Sequence, residues 1–295
     1  MTKPTIGFIG LGLMGAAMVG RLQDLGYSLT VTANRSRTNV DIAVGRGATE
    51  VATAREVAAA SDIVMLCMDT SASVEARMNG EDGVLAGLNE GAVVVDFGTS
   101  LPASTRALAA EAAKRGCAYL DAPLGRTPAH AVDGLLNIMA AGDKQAFDKV
   151  ELVLKDLGEN VFHLGASGSG HTIKLINNFF GMTIANAMSE AFAFADVAEI
   201  DRKQLYDVIA AGPLRSGMMD FVKGYGVDGD PNLLAFAIKN AAKDVGYYVK
   251  MTGDAGVDSR VARGPLSALN DAVEDGRGDL MVSQMVDFYA DQFKK

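Results

Sequence analysis

The chain has 295 residues, room for about two domains of ordinary size. Apolar residues at 49% and charged residues at 21% match a soluble globular protein with a sizeable core and exclude wholesale disorder. The net charge of −9 repels phosphate backbones and anionic bilayers, so neither a nucleic acid nor a membrane is expected as partner. The two cysteines, Cys67 and Cys117, form no CxxC pair, which leaves a disulfide framework or a thiolate metal site without basis; no metal is expected, and a reducing cytoplasm fits best. Lys3 and Pro4 precede an apolar run that Gly10 to Gly15 soon breaks, the wrong layout for a signal peptide, and no uncharged apolar stretch reaches the ~18 residues of a spanning helix.

From residue 5 to about 165, β-rich apolar runs alternate with Ala-rich helical stretches. Strands are expected at 5–9, 28–32, 63–66, 92–96, 118–121, 137–140 and 160–163, with helices at 16–25, 54–60, 71–78 and 105–115. The fold class is therefore α/β, a doubly wound parallel sheet with right-handed crossovers. Past the glycine cluster at 165–170 the texture changes to one long helical stretch, 172 to about 199. Further helical patterns run through 210, 233–252, 265–274 and 280–292, broken at 212–213, 224–231 and 276–278. A boundary near 165 separates an N-terminal domain, 1–164, from an all-α C-terminal domain, 165–295.

Gly10, Leu11, Gly12, Leu13, Met14 and Gly15 form a GxGxxG between the first strand and the first helix. Gly10 permits the tight turn, Gly12 lets backbone approach a pyrophosphate, and Gly15 lets helix pack on sheet, while the helix N-terminus supplies amide groups and positive charge. The strand context makes this a dinucleotide site rather than a merely structural turn. About twenty residues on, where NAD-binding versions carry an acid for the ribose hydroxyls, the chain reads Asn34, Arg35, Ser36, Arg37. Two guanidinium groups and a hydroxyl suit a 2′-phosphate, so NADP, with NADPH favoured over NADH, is the expected cofactor. The plainer alternative makes both arginines solvated loop charges.

Lys174 and Asn178 stand four apart, on one helix face, with His171 a turn earlier. An ammonium that exchanges a proton and a carboxamide that holds an oxygen would suit a carbonyl becoming an alkoxide. Spacing alone equally describes two surface groups on an amphipathic helix.

Four ordered motifs now carry a resemblance: Gly10 to Gly15; Asp121-Ala122-Pro123 with Gly134 and Met139 behind it; Gly168 to Asn178; and Lys243-Asp244. Together they span essentially the whole chain, which resembles the 3-hydroxyacid dehydrogenases, the group of 3-hydroxyisobutyrate dehydrogenase and relatives of 6-phosphogluconate dehydrogenase. The resemblance implies a Rossmann-like N-terminal domain, a long interdomain helix at about 170–198 and an all-helical C-terminal domain that mediates homodimer or homotetramer formation. It makes Lys174 the acid/base lysine, Asn178 the substrate-orienting asparagine and Lys243 a lysine near cofactor and substrate, and it places Thr99 near the nicotinamide ribose. Cys67, with Met68 after it, stands at the cofactor's edge where members commonly have proline, and Arg21 stands where an asparagine is usual.

The loop after Asp121 departs further. Many members continue with Ser-Gly-Gly; this chain has Gly125, Arg126 and Thr127, then Pro128, Ala129 and His130. A guanidinium and a hydroxyl suit a tetrahedral oxyanion as well as a carboxylate. The run looks like the corresponding loop of the family's 3-sulfolactaldehyde reductases, so the expected reaction is reversible hydride transfer to a short acidic aldehyde of that kind. A carboxylate-specific member acting on 3-hydroxyisobutyrate, tartronate semialdehyde, 4-hydroxybutyrate or a β-hydroxy amino acid is the alternative. An imine reductase is disfavoured by Lys174, and a non-enzymatic NADPH-binding sensor by Lys174 with Asn178. His130 reads as a loop or cap residue and Asn137 as structural.

Overall fold

The computed structural model describes residues 3–34 and 36–294 and divides into two compact units, one ending at Lys174 and the other beginning at Leu175. The first unit runs β1 (Ile6–Ile9), α1 (Leu13–Asp24), β2 (Leu29–Val31), α2 (Thr38–Gly45), β3 (Thr49–Glu50), α3 (Ala54–Ala59), β4 (Ile63–Leu66), α4 (Ser71–Met78), α5 (Val84–Gly87), β5 (Val93–Asp96), α6 (Pro102–Ala113) and β6 (Ala118–Asp121). It continues through β7 (Leu124–Gly125), α7 (Pro128–Val132), β8 (Leu136–Ala140), α8 (Lys144–Leu157) and β9 (Gly158–His163) into the start of α9 (Ser169–Val197).

Strands β1 to β6 form one parallel sheet in the order β3-β2-β1-β4-β5-β6. Every residue of β1, β4 and β5 is buried, as expected of strands covered on both faces. Alternation along each strand divides the core. Ile6, Phe8, Met65, Val93, Val95 and Leu120 pack on one face, and Ile9, Val64, Leu66, Val94 and Tyr119 on the other. Strand order reverses between β1 and β4, which puts a ligand crevice beyond the C-terminal ends of these strands. The register aligns Ile9, Leu66, Asp96 and Asp121 in one row along that edge.

The strands expected at 137–140 and 160–163 lie in a second sheet, β7-β8-β9, with β8 antiparallel to β7 and parallel to β9. A backbone bridge between Asp121 and Ala141 links the two sheets. Helix α1 begins at Leu13 rather than 16 because Gly12, in extended conformation, is already its N-cap. Helix α6 begins at Pro102, whose missing amide costs nothing in a first turn.

In the second unit α9 is followed by α10 (Arg202–Ala210), α11 (Gly217–Gly226), α12 (Ile238–Asp254), α13 (Arg263–Ala272) and α14 (Met285–Phe293). Met182, Phe192, Val222, Ile238, Val245, Leu269 and Val286 form its core. The helix expected over 233–252 is a short 3-10 turn, Pro231–Leu234, and then α12, because Ala237 leaves helical geometry to bridge Met281. Among the described residues no helix is long and apolar enough to cross a membrane.

Candidate active site

Space around the glycine turn distinguishes its three glycines. Gly10 sits at φ +98°, and a Cβ there would lie 2.3 Å from the Cys67 carbonyl oxygen. A Cβ on Gly15 would lie 2.0 Å from the carbonyl oxygen of Gly10, so these two positions serve the fold. Gly12 has no atom within 4 Å of the same construction and caps α1 without any side-chain acceptor. The open face and the uncapped amide groups of a twelve-residue helix are what a pyrophosphate requires, so the residues present fit a dinucleotide. Leu13 projects outward, 83% exposed.

The turn is packed against the end of β4, which packs in turn against the residues after β5. A Cβ on Gly10 would lie 2.9 Å from the Met68 sulfur, and one on Gly98 3.1 Å from the Met68 carbonyl oxygen, with Thr99 next in the chain. Burial, and then the Asp96 carboxylate, push the Cys67 thiol up to about 12, so this sulfur stays protonated. Asp96 itself is fully buried; its Oδ1 accepts from Gly98 N at 2.8 Å and its Oδ2 from the Tyr119 hydroxyl at 2.9 Å.

His171, left without a role by the sequence, ties α9 to this cluster. The buried ring places Nε2 3.2 Å from the Gly98 carbonyl oxygen and Nδ1 2.7 Å from the Thr105 hydroxyl. Asp121 holds the same helix start: its two oxygens accept from Gly168 N at 2.8 Å and His171 N at 2.9 Å. The first turns of α9, up to Lys174, are thus anchored at the edge of the sheet where Thr99 lies. The sequence signal for these anchors is an acid at the last position of β5 and of β6.

At the end of β2, Asn34 is exposed and its Oδ1 accepts a hydrogen bond from the Arg77 guanidinium of α4. Ser36 Oγ is 3.5 Å from Thr38 Oγ1. Arg35 lies outside the described residues. Arg37, expected with it to meet a phosphate, is instead bound to both Glu50 oxygens at 3.0 and 2.9 Å and to Asp41 at 3.0 Å. Its fork is already matched by carboxylate.

Lys174 and Asn178 lie one turn apart along α9. Asn178 is only 8% exposed, and its Nδ2 donates to Asp244 Oδ2 at 2.6 Å. Asp244, almost fully buried on α12, has the Lys243 ammonium 3.0 Å from its other oxygen. An ionised carboxylate only accepts, so Asp244 fixes which way the Asn178 amide faces and leaves its second N–H for another acceptor. Asp244 stood in the sequence only as the neighbour of Lys243; adjacency on one strand of text does not reveal a contact spanning 66 positions.

The loop at 125–127 is tied to its own sheet. Arg126 adopts φ +76°, unusual for a side chain with a Cβ, and its Nη1 donates to the Leu135 carbonyl at 2.6 Å and pairs with Glu159 at 2.5 Å. Both of these contacts run through Nη1. Thr127 Oγ1 lies 2.7 Å from His130 Nδ1, and Asn137 accepts from Asn160 across β8 and β9 at 2.8 Å. No group of three or more His, Cys, Asp or Glu suited to a metal occurs among the described residues.

These features define a nucleotide-dependent oxidoreductase with a Rossmann-type cofactor domain. Residues 5–165 match the family described as the NAD binding domain of 6-phosphogluconate dehydrogenase, and residues 168–289 the one described as NAD-binding of NADP-dependent 3-hydroxyisobutyrate dehydrogenase. The chain is 34% identical to a probable 3-hydroxyisobutyrate dehydrogenase-like protein 3 of Arabidopsis thaliana, over 83% of this chain and 76% of that one. It is 33% identical to 2-(hydroxymethyl)glutarate dehydrogenase of Eubacterium barkeri, over 85% and 86%. A crystal structure of 3-hydroxyisobutyrate dehydrogenase from Salmonella typhimurium superposes with a TM-score of 0.84 at 26% identity, covering 97% of this chain and all of the other. The chain belongs to the 3-hydroxyisobutyrate dehydrogenase-related family of NAD(P)-dependent 3-hydroxyacid dehydrogenases.

Proposed function

We propose that the protein is an NADPH-preferring reductase of short aldehydes that carry a terminal acid, with a sulfonate of the 3-sulfolactaldehyde type as first candidate. The observation that carries the reading is the Asn178 amide, buried, fixed by Asp244 and one helical turn from Lys174. When bound, the nicotinamide supplies the hydride. Lys174 donates a proton to the substrate oxygen as its charge grows, and accepts it back in the reverse direction. The second N–H of Asn178 holds that oxygen, already oriented before substrate arrives. Gly12 and the amide groups of α1 hold the pyrophosphate.

The loop at 125–127 takes the acid. Beside Nη1, which meets Leu135 and Glu159, the Arg126 guanidinium has Nε and Nη2 as further donors for an oxyanion. With Nδ1 protonated, His130 donates to Thr127 Oγ1, and the hydroxyl hydrogen is left for the substrate. A sulfonate offers three oxygens to this donor set. A carboxylate substrate is the second reading, supported by the relatives: the acids in the names of the Salmonella and Eubacterium enzymes both carry a primary alcohol on the carbon next to the one bearing a carboxylate. NADPH over NADH is supported by the neutral Asn34 and Ser36 where an acid would repel a phosphate. The exposed Phe180, Phe194 and Val197 on α9 support a homodimer or homotetramer. The test is a panel of short aldehydes ending in sulfonate, carboxylate or phosphate, followed by NADPH absorbance. Highest kcat/KM for the sulfonate supports the first reading, and for the carboxylate the second; no turnover of any rejects both.

A further inference from the structure

Arg77 has no place in the mechanism above, and its surroundings give it one. It lies in the last turn of α4, partly buried, and its guanidinium donates to Asn34 Oδ1. Asn34 occupies the end of β2, about twenty residues beyond the glycine turn, where the adenosine ribose of a bound dinucleotide is held. In the sheet β1 lies between β2 and β4, and α4 follows β4. Arg77 therefore links the helix after β4 to the end of β2, the strands on either side of β1, next to which the strand order reverses.

Two further observations single it out. Arg37, the described arginine of the β2 loop, is matched by Glu50 and Asp41, whereas Arg77 is paired with no carboxylate among the described residues and rests on a neutral carboxamide. By donating to Asn34 Oδ1, Arg77 also fixes which end of that amide it meets and leaves Nδ2 as a donor. We propose that Arg77 is a specificity-determining residue of the cofactor site, its guanidinium and the Asn34 amide that it orients together receiving the 2′-phosphate of a 2′-phosphorylated adenine nucleotide. This rests on the NADPH reading.

The experiment titrates the full chain by calorimetry with 2′,5′-ADP and with 5′-AMP, probes that differ by the 2′-phosphate, using wild type, Arg77→Met and Arg77→Lys. Wild type binds 2′,5′-ADP more tightly than 5′-AMP. Arg77→Met loses about ten-fold or more for 2′,5′-ADP, as expected for one charge-assisted contact, with 5′-AMP unchanged, and Arg77→Lys recovers part of the loss. If wild type does not distinguish the probes, the NADPH reading fails and takes the proposal with it. If wild type distinguishes them and Arg77→Met does so equally, the proposal alone is overturned. A lysine variant as weak as the methionine one, with both melting as wild type, still assigns the contact to the guanidinium; loss of 5′-AMP binding in both overturns it.

Discussion

One methyl group placed at Gly12 or at Gly15 separates cofactor binding from folding. At Gly12 the added Cβ meets no atom within 4 Å and the backbone, at φ −70°, is open to any residue. Gly12→Ala therefore changes stability by about 1 kcal/mol or less, the poorer N-capping of alanine being offset in part by the smaller conformational freedom of its unfolded chain. The methyl group does occupy the space a pyrophosphate needs, and losing one charge-assisted hydrogen bond, about 1.5–3 kcal/mol, weakens NADPH binding roughly 10- to 150-fold. At Gly15 the Cβ would fall 2.0 Å from a backbone oxygen that cannot rotate away, so strand and helix must separate by more than 1 Å. Overpacking of this kind costs about 1–3 kcal/mol, and at roughly 2–4 °C per kcal/mol the melting temperature drops by about 2–12 °C. Thermal melting without nucleotide and calorimetric titration of NADPH, run on both variants, check both halves. A Gly12→Ala protein that binds NADPH like wild type, or a Gly15→Ala protein that melts with it, refutes the assignment of the turn.

Asp244→Asn keeps the volume but lets the Asn178 amide face either way, so kcat falls about ten-fold while NADPH affinity stays within about two-fold; unchanged kcat removes Asp244 as a positioning residue. Arg126→Ala raises KM for the acidic substrate about ten-fold with kcat little changed, and an unaltered KM confines Arg126 to its ties with Leu135 and Glu159. Burial raises Cys67 from 9.0 to about 12, and burial with Glu190 and Asp271 raises Tyr289 from 10.0 to about 12. The folded chain keeps protons that the unfolded chain releases, so stability is full below about pH 9 and falls as pH climbs toward 12. Urea midpoints that stay level from pH 8 to about pH 11 contradict this.

The parallel sheet was legible because β1, β4 and β5 read as unbroken apolar runs, and the glycine turn because its three glycines sit between such a run and a helix. The second sheet was not, since an apolar pattern reports that β8 and β9 are buried strands and not which strand each pairs with. Helix α2 anchors itself by only Val40 and Ala43, and β3 is two exposed residues, so neither leaves a periodic signal. Helix α8, with Ala146, Phe147, Val150, Val153, Leu154 and Leu157 on one face, carried a strong pattern that the alternation of strands around it obscured. In the site, the spacing of Lys174 and Asn178 was visible, but the partners that orient them come from distant positions: His171 through Gly98 and Thr105, Asn178 through Asp244. Arg37 shows the converse, a cation whose sequence position suggested phosphate and whose geometry commits it to Glu50.

The central claim is that the Lys174 ammonium moves the proton, and single-turnover reduction of the best aldehyde by Lys174→Ala, with NADPH affinity measured on the same protein, tests it most directly. The account predicts a rate lower by about 10²- to 10⁴-fold with NADPH binding within about two-fold of wild type. A rate close to wild type contradicts it.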